Sequence, residues 1–97
     1  MACTGAELVS EALAAEGVEY FFNLPGNGVY PMLDPLHEHG IKYLLGLHEA
    51  SVVSMADGYA RASGRVPFVN LYMVPGTANA LSAMYIASRD RSPLVVT

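Results

Sequence analysis

Charge is scarce in this sequence. Only 14% of its 97 residues are Asp, Glu, Lys or Arg, against about 25% in ordinary soluble domains. Apolar residues make up 53%. A small domain so poor in charge is expected to bury part of its outside against further chain or a partner. The length allows a single domain with a real but modest core. Basic residues number five and are scattered, and the net charge is −4. Nucleic-acid binding needs a basic stripe to displace counterions, so that partner class is excluded. Cys3 is the only cysteine. No internal disulfide is possible, and a reduced, cytoplasmic setting is the simplest expectation. The start, Met1-Ala2-Cys3-Thr4, lacks the basic region and apolar run of a signal peptide. Val66 to Ser88 carries no charge and is long enough to span a bilayer. It also holds Pro67, Asn70, Pro75, Gly76 and Asn79, which lipid would leave unsatisfied. A buried strand, a loop and a buried helix are expected there instead. Repeats, low-complexity tracts and linkers are absent.

What remains is an alternation. Thr4-Gly5-Ala6-Glu7 has the spacing of a capping box, and Leu8, Val9, Ala12 and Leu13 follow at helical spacing up to Gly17. Val18 to Phe22 reads as a strand and Leu24 to Gly28 as a tight loop. A helix follows, with Asp34 as a candidate N-cap, Pro35 at its first position and Gly40 at its end. Ile41 to Leu47 is a second strand, Glu49 to Ser63 a helix closed by Gly64, and Pro67 to Met73 a third strand. Val74 to Asn79 reads as a loop, Ala80 to Arg89 as a helix and Leu94 to Thr97 as a fourth strand. This order predicts an α/β fold, a parallel sheet flanked by helices. The strands are apolar on both faces, as buried parallel strands are. The last strand has no covering element after it, which suggests a sheet truncated at the C-terminus.

Ligands of open parallel sheets bind beyond the carboxyl ends of the strands. Three segments fall there: Pro25-Gly26-Asn27-Gly28, His48-Glu49, and Tyr72 through Asn79. Glu49 is the most informative residue. Amides at a helix start favour an ionised carboxylate there, whereas an apolar pocket favours the protonated acid. The residues alone leave open whether it is merely a favourable acid at a helix start. Pro25-Gly26 and Pro75-Gly76 permit close backbone approach to a ligand, or are ordinary turns. Neither loop has the lysine of a phosphate-binding loop or a full G-x-G-x-x-G. His37-Glu38-His39 offers no metal site, because residues two apart on a helix diverge and no further ligands are evident. His48 is either structural or borders the pocket.

Together these stretches resemble the N-terminal pyrimidine-binding (PYR) domain of thiamin diphosphate-dependent enzymes, in the branch of acetolactate synthase and benzoylformate decarboxylase. The matching residues are Gly17 to Phe22, Leu24 to Asn27, His48 to Ser51, Met55 to Gly64, Pro75 to Asn79 and Ser92 to Val96. The H-E-A followed by A-D-G-Y-A-R-A-S-G is the specific part, and the resemblance covers nearly the whole chain. It implies the thiamin diphosphate-binding fold, with residues 1–97 a partial PYR domain. It implies that Glu49 is the catalytic glutamate, whose carboxyl bonds the N1′ nitrogen of the aminopyrimidine and promotes proton removal from C2 of the thiazolium. Pro25, Gly26, Gly76 and Asn79 are similar to residues that line the cofactor, and Asn27 and Tyr72 to residues that border the substrate. In the family a serine stands at Asn27 and a histidine at Tyr72 in benzoylformate decarboxylases, and Gly or Ala is usual at Val74. Asp57, Tyr59 and Arg61 are expected to pack helices and subunits together.

The same resemblance implies a 2-oxo acid decarboxylase or carboligase, a homodimer or homotetramer. The diphosphate and its Mg2+ would be held by a C-terminal domain outside these residues, and the fragment alone would be inactive. The rival expectations are a non-catalytic dimerisation or regulatory module that keeps the fold and, more distantly, a small flavodoxin-like nucleotide binder.

Overall fold

A computed structural model describes residues 2–97. The first helix, α1 (Gly5–Ala15), begins with the capping box that the sequence announces. Thr4 Oγ1 accepts the Glu7 amide at 3.2 Å, and the Thr4 amide donates to Glu7 Oε2 at 2.6 Å. That backbone hydrogen bond, with the Thr4 hydroxyl behind it, holds the Glu7 carboxyl below the usual carboxylate range. Gly17, with φ 79°, ends the helix in the left-handed conformation that glycine adopts without steric cost. The chain then runs through β1 (Tyr20–Asn23), a 3₁₀ turn (Tyr30–Met32), α2 (Leu33–Glu38), β2 (Lys42–Leu45), α3 (Glu49–Ser63), β3 (Phe68–Asn70), α4 (Met73–Arg89) and β4 (Val95–Val96).

The four strands form one parallel sheet in the order β2-β1-β3-β4. Strand β1 is central, and Phe21 and Phe22 point to opposite faces of it. Phe22 joins Val52, Val53, Ala56, Val69, Ala80 and Ala83 in a core between the sheet and α3 and α4. Phe21 joins Val29, Leu36 and Ile41 under α1 and α2. Both phenylalanines are essentially inaccessible to solvent, and burying each stabilises the fold by about 1.5–3 kcal/mol. The buried alanines of α3 and α4 let the two helices lie close against each other.

Three local expectations are corrected. Val74 to Asn79 is not a loop: α4 starts at Met73 and absorbs the segment. Pro75 is its third residue, a position whose amide has no intrahelical acceptor, so proline is tolerated. Helix α2 starts at Leu33 rather than after Asp34, because the 3₁₀ turn runs directly into it and Met32 is its N-cap. The strands are not all buried. Leu44 and Leu45 of β2 are exposed, because β2 is an edge strand that none of the described residues covers on its outer side.

The A-D-G-Y-A-R stretch packs α3. The Tyr59 ring meets Tyr20 edge-on at 5.3 Å, Asp57 accepts the Ser92 hydroxyl, and Arg61 pairs with Asp90 at 3.3 Å. The ring contact ties α3 to β1, and the two polar contacts fasten the α4–β4 connection to α3.

Candidate cofactor site

The connection from β1 returns the chain to the β2 edge, and the connection from β2 crosses to β3 on the other side of β1. Strand order therefore reverses at β1, which opens a crevice beyond the carboxyl ends of β1 and β3. The residues singled out from the sequence converge there.

Glu49 is the first residue of α3. His48 is its N-cap, extended at φ −155°, and His48 Nδ1 accepts the Ala50 amide at 3.1 Å. This is the structural role for His48. The tight entry depends on Gly46, where a Cβ would fall 2.3 Å from Val52 Cγ2. The half-buried Glu49 side chain lies across the first turns of α4. Asn79 Nδ2 donates to Glu49 Oε2 at 3.0 Å. A Cβ on Gly76 would sit 3.2 Å from Glu49 Oε1, so only glycine leaves the carboxylate its full room. Among the described residues, Oε1 has no hydrogen-bond partner.

A cleft of about 390 Å³ opens in front of this carboxylate. Leu24 and Pro25 from the loop after β1 form one wall; Tyr72, Met73 and Pro75 form the other, with Gly76 beside Glu49. The Tyr72 ring lies on the glycine loop: a Cβ on Gly26 would fall 2.2 Å from Tyr72 Cδ1, and one on Gly28 3.1 Å from Cε2. Met73 carries φ 61°, a left-handed conformation that non-glycine residues rarely take. It turns the chain sharply from Tyr72 into α4. Asn27 is exposed on the loop and does not line the cleft.

The structure thus brings Pro25, Glu49, Tyr72 and Gly76 into one cleft, sets Gly26 under Tyr72 and bonds Asn79 to Glu49. Leu24 is an addition, and Met73 and Pro75 come from the Tyr72 to Asn79 segment. Pro75 was visible beside Gly76, but the Met73 conformation leaves no trace in a residue type that usually avoids it. Among the described residues no group of three or more His, Cys, Asp or Glu is arranged to hold a metal ion, and no helix is long and apolar enough to cross a membrane.

The donor set fits one edge of an aminopyrimidine. Flat apolar walls suit the ring faces, and a carboxylate oxygen without a partner suits a ring nitrogen. The Gly76 cradle keeps that oxygen accessible. Comparison with known proteins agrees. Residues 3–97 match the family described as thiamine pyrophosphate enzyme, N-terminal TPP binding domain. The chain is 43% identical over 94 residues to the acetolactate synthase large subunit of Haemophilus influenzae, covering 96% of this chain and 16% of that protein. It is 46% identical over 87 residues to benzoylformate decarboxylase of Pseudomonas aeruginosa, covering 90% of this chain and 16% of that protein. The thiamine diphosphate-dependent 4-hydroxybenzoylformate decarboxylase of Rhodococcus jostii superposes with a TM-score of 0.88 at 39% identity, over 97% of this chain and 18% of that one. The chain therefore spans about a sixth of the length of these relatives. On the match over residues 3–97, the chain belongs to the thiamin diphosphate enzymes, as their N-terminal cofactor-binding domain.

Proposed function

We propose that this chain forms the aminopyrimidine wall of a thiamin diphosphate-dependent enzyme that decarboxylates or ligates a 2-oxo acid, with Glu49 as its catalytic residue. The observation that carries this reading is the Glu49 carboxylate at the head of an apolar cleft, one oxygen held by Asn79 and the other open over Gly76. Asn79 fixes the carboxylate plane. Oε1 would be free to share a proton with the ring nitrogen of the bound cofactor. Pro25, Gly26 and Gly76 supply close, flat surfaces for the ring. Tyr72 borders the 2-oxo acid, as a wall and hydrogen-bond donor. When bound, thiamin diphosphate supplies the nucleophilic carbon that adds to the substrate carbonyl.

In this reading the diphosphate and Mg2+ are held by residues outside this chain, and the complete protein is a cytoplasmic homo-oligomer. The alternative is a non-catalytic dimerisation or regulatory module. It draws on the exposed apolar side of α4, where Val74 is 80% and Tyr85 66% accessible.

The test is thiamin diphosphate-dependent release of carbon dioxide from a panel of 2-oxo acids by the complete gene product, with and without Glu49→Gln. Glutamine keeps a hydrogen bond but cannot relay a proton, so the rate should fall about 10²–10⁴-fold. Activity that survives the substitution refutes the role of Glu49. An inert wild type that does not bind thiamin diphosphate by calorimetry moves the reading to the interaction module.

A further inference from the structure

Asn23 closes β1, a strand otherwise made of aromatic residues, and is wholly buried. A buried amide is costly unless its polar atoms are paired, and here both ends are. Its Oδ1 accepts the Tyr43 hydroxyl at 2.7 Å. Its Nδ2 donates to Asn70 O at 2.6 Å and to Asn70 Oδ1 at 3.1 Å. Asn70 Nδ2 in turn donates to Thr97 Oγ1 at 3.2 Å. One hydrogen-bonded ladder therefore crosses the sheet at its carboxyl end, from β2 through β1 and β3 to the residue after β4. None of these four residues lines the cleft.

Two residues of the ladder come just before the cleft walls in the chain. Asn23 precedes Gly26 by three residues, and Asn70 precedes Tyr72 by two. Gly26 and Tyr72 are in contact so close that a single added carbon would collide with the ring. Where the ring rests thus depends on where β1 and β3 end relative to each other, and the Asn23 amide bridges the two strands at that point. Tyr43 fixes the amide's orientation: its hydroxyl can donate only to Oδ1, which turns Nδ2 toward Asn70. Tyr43 is itself anchored by stacking on Phe21 at 5.8 Å.

We propose that Asn23 is a positioning residue for the substrate end of the cleft: with Tyr43 and Asn70 it seats the Tyr72 ring on the Gly26–Gly28 loop. This rests on the reading of the cleft as a 2-oxo acid site, and it is testable apart from that reading. The first readout is spectroscopic. The seated ring shifts the α-proton resonances of Gly26 and Gly28, and Tyr72→Leu in the intact protein defines their values without it. In Tyr43→Phe, which keeps the stacking, and in Asn23→Ser, these resonances should move toward the Tyr72→Leu positions. The second readout is kinetic. KM for the 2-oxo acid should rise about fivefold, the scale of one lost hydrogen bond, with kcat and thiamin diphosphate affinity unchanged.

Glycine resonances that stay in place in a folded Tyr43→Phe protein overturn the proposal, even if Asn23→Ser fails to fold. So does a parallel loss of kcat and cofactor affinity, which marks general destabilisation. A wild-type protein inert on every 2-oxo acid refutes the functional reading instead, and the glycine resonances still decide whether the ladder seats Tyr72.

Discussion

Two polar groups stand at the carboxyl end of the sheet, and they are built in opposite ways. Asn23 is buried with both of its side-chain polar atoms paired, and the hydrogen bonds run from β2 through β1 and β3 to the residue after β4. Glu49 is only half-buried, is held by one exposed asparagine, and keeps one oxygen without a partner among the described residues. A group that supports the fold gains from complete pairing, because an unpaired buried polar atom costs about 1–3 kcal/mol. A group that meets a ligand must keep a valence free. The contrast separates scaffold from site within a few residues of each other.

The largest effect should come from closing the space before the carboxylate. Gly76→Val places carbon against Glu49 Oε1, where even one Cβ would lie at 3.2 Å. Thiamin diphosphate affinity should fall at least about 100-fold, the equivalent of roughly 3 kcal/mol of overpacking. Calorimetric titration checks this, and near-normal binding would refute the cradle. A smaller effect is expected from Asn79→Ala, which frees Oε2. Cofactor affinity should weaken about fivefold, as for one modest hydrogen bond, while the thermal midpoint stays put because the asparagine is exposed.

The scaffold should respond to alkali instead. Burial, with Tyr30 nearby, pushes the Tyr43 hydroxyl up from 10.0 to about 12. The folded state then holds a proton that the unfolded chain releases, so stability is full below about pH 10 and declines as pH rises toward 12. Tyr43→Phe should flatten that decline in urea unfolding measured across the range, while costing some stability at neutral pH by stranding Asn23 Oδ1. An unchanged alkaline slope would remove Tyr43 as its source.

Much of this was legible in the sequence. Alternation of elements gave the parallel sheet, and Glu49, Gly76 and Asn79 stood out through their place at strand ends and their resemblance to a known family. Two things were hidden. Val74 to Asn79 contains Pro and Gly and so reads as a loop, yet the first turn of a helix accepts both. The ladder was hidden for a different reason. Asn23 follows the first apolar strand and Asn70 lies inside the stretch read as the third, and neither position announces a partner. Only the register that aligns Asn23 with Asn70 makes them a hydrogen-bonded pair. Burial of β2 was misjudged because local sequence does not reveal which strand lies at the edge.

Met73 shows the other side of such a site. Its left-handed backbone costs on the order of 1–2 kcal/mol that glycine would avoid. Helix α4 tolerates that strain and in exchange starts abruptly, with a flexible thioether side chain on the cleft wall. At this position the molecule gives up conformational ease for an apolar side chain on the cleft wall, local strain set at the candidate site.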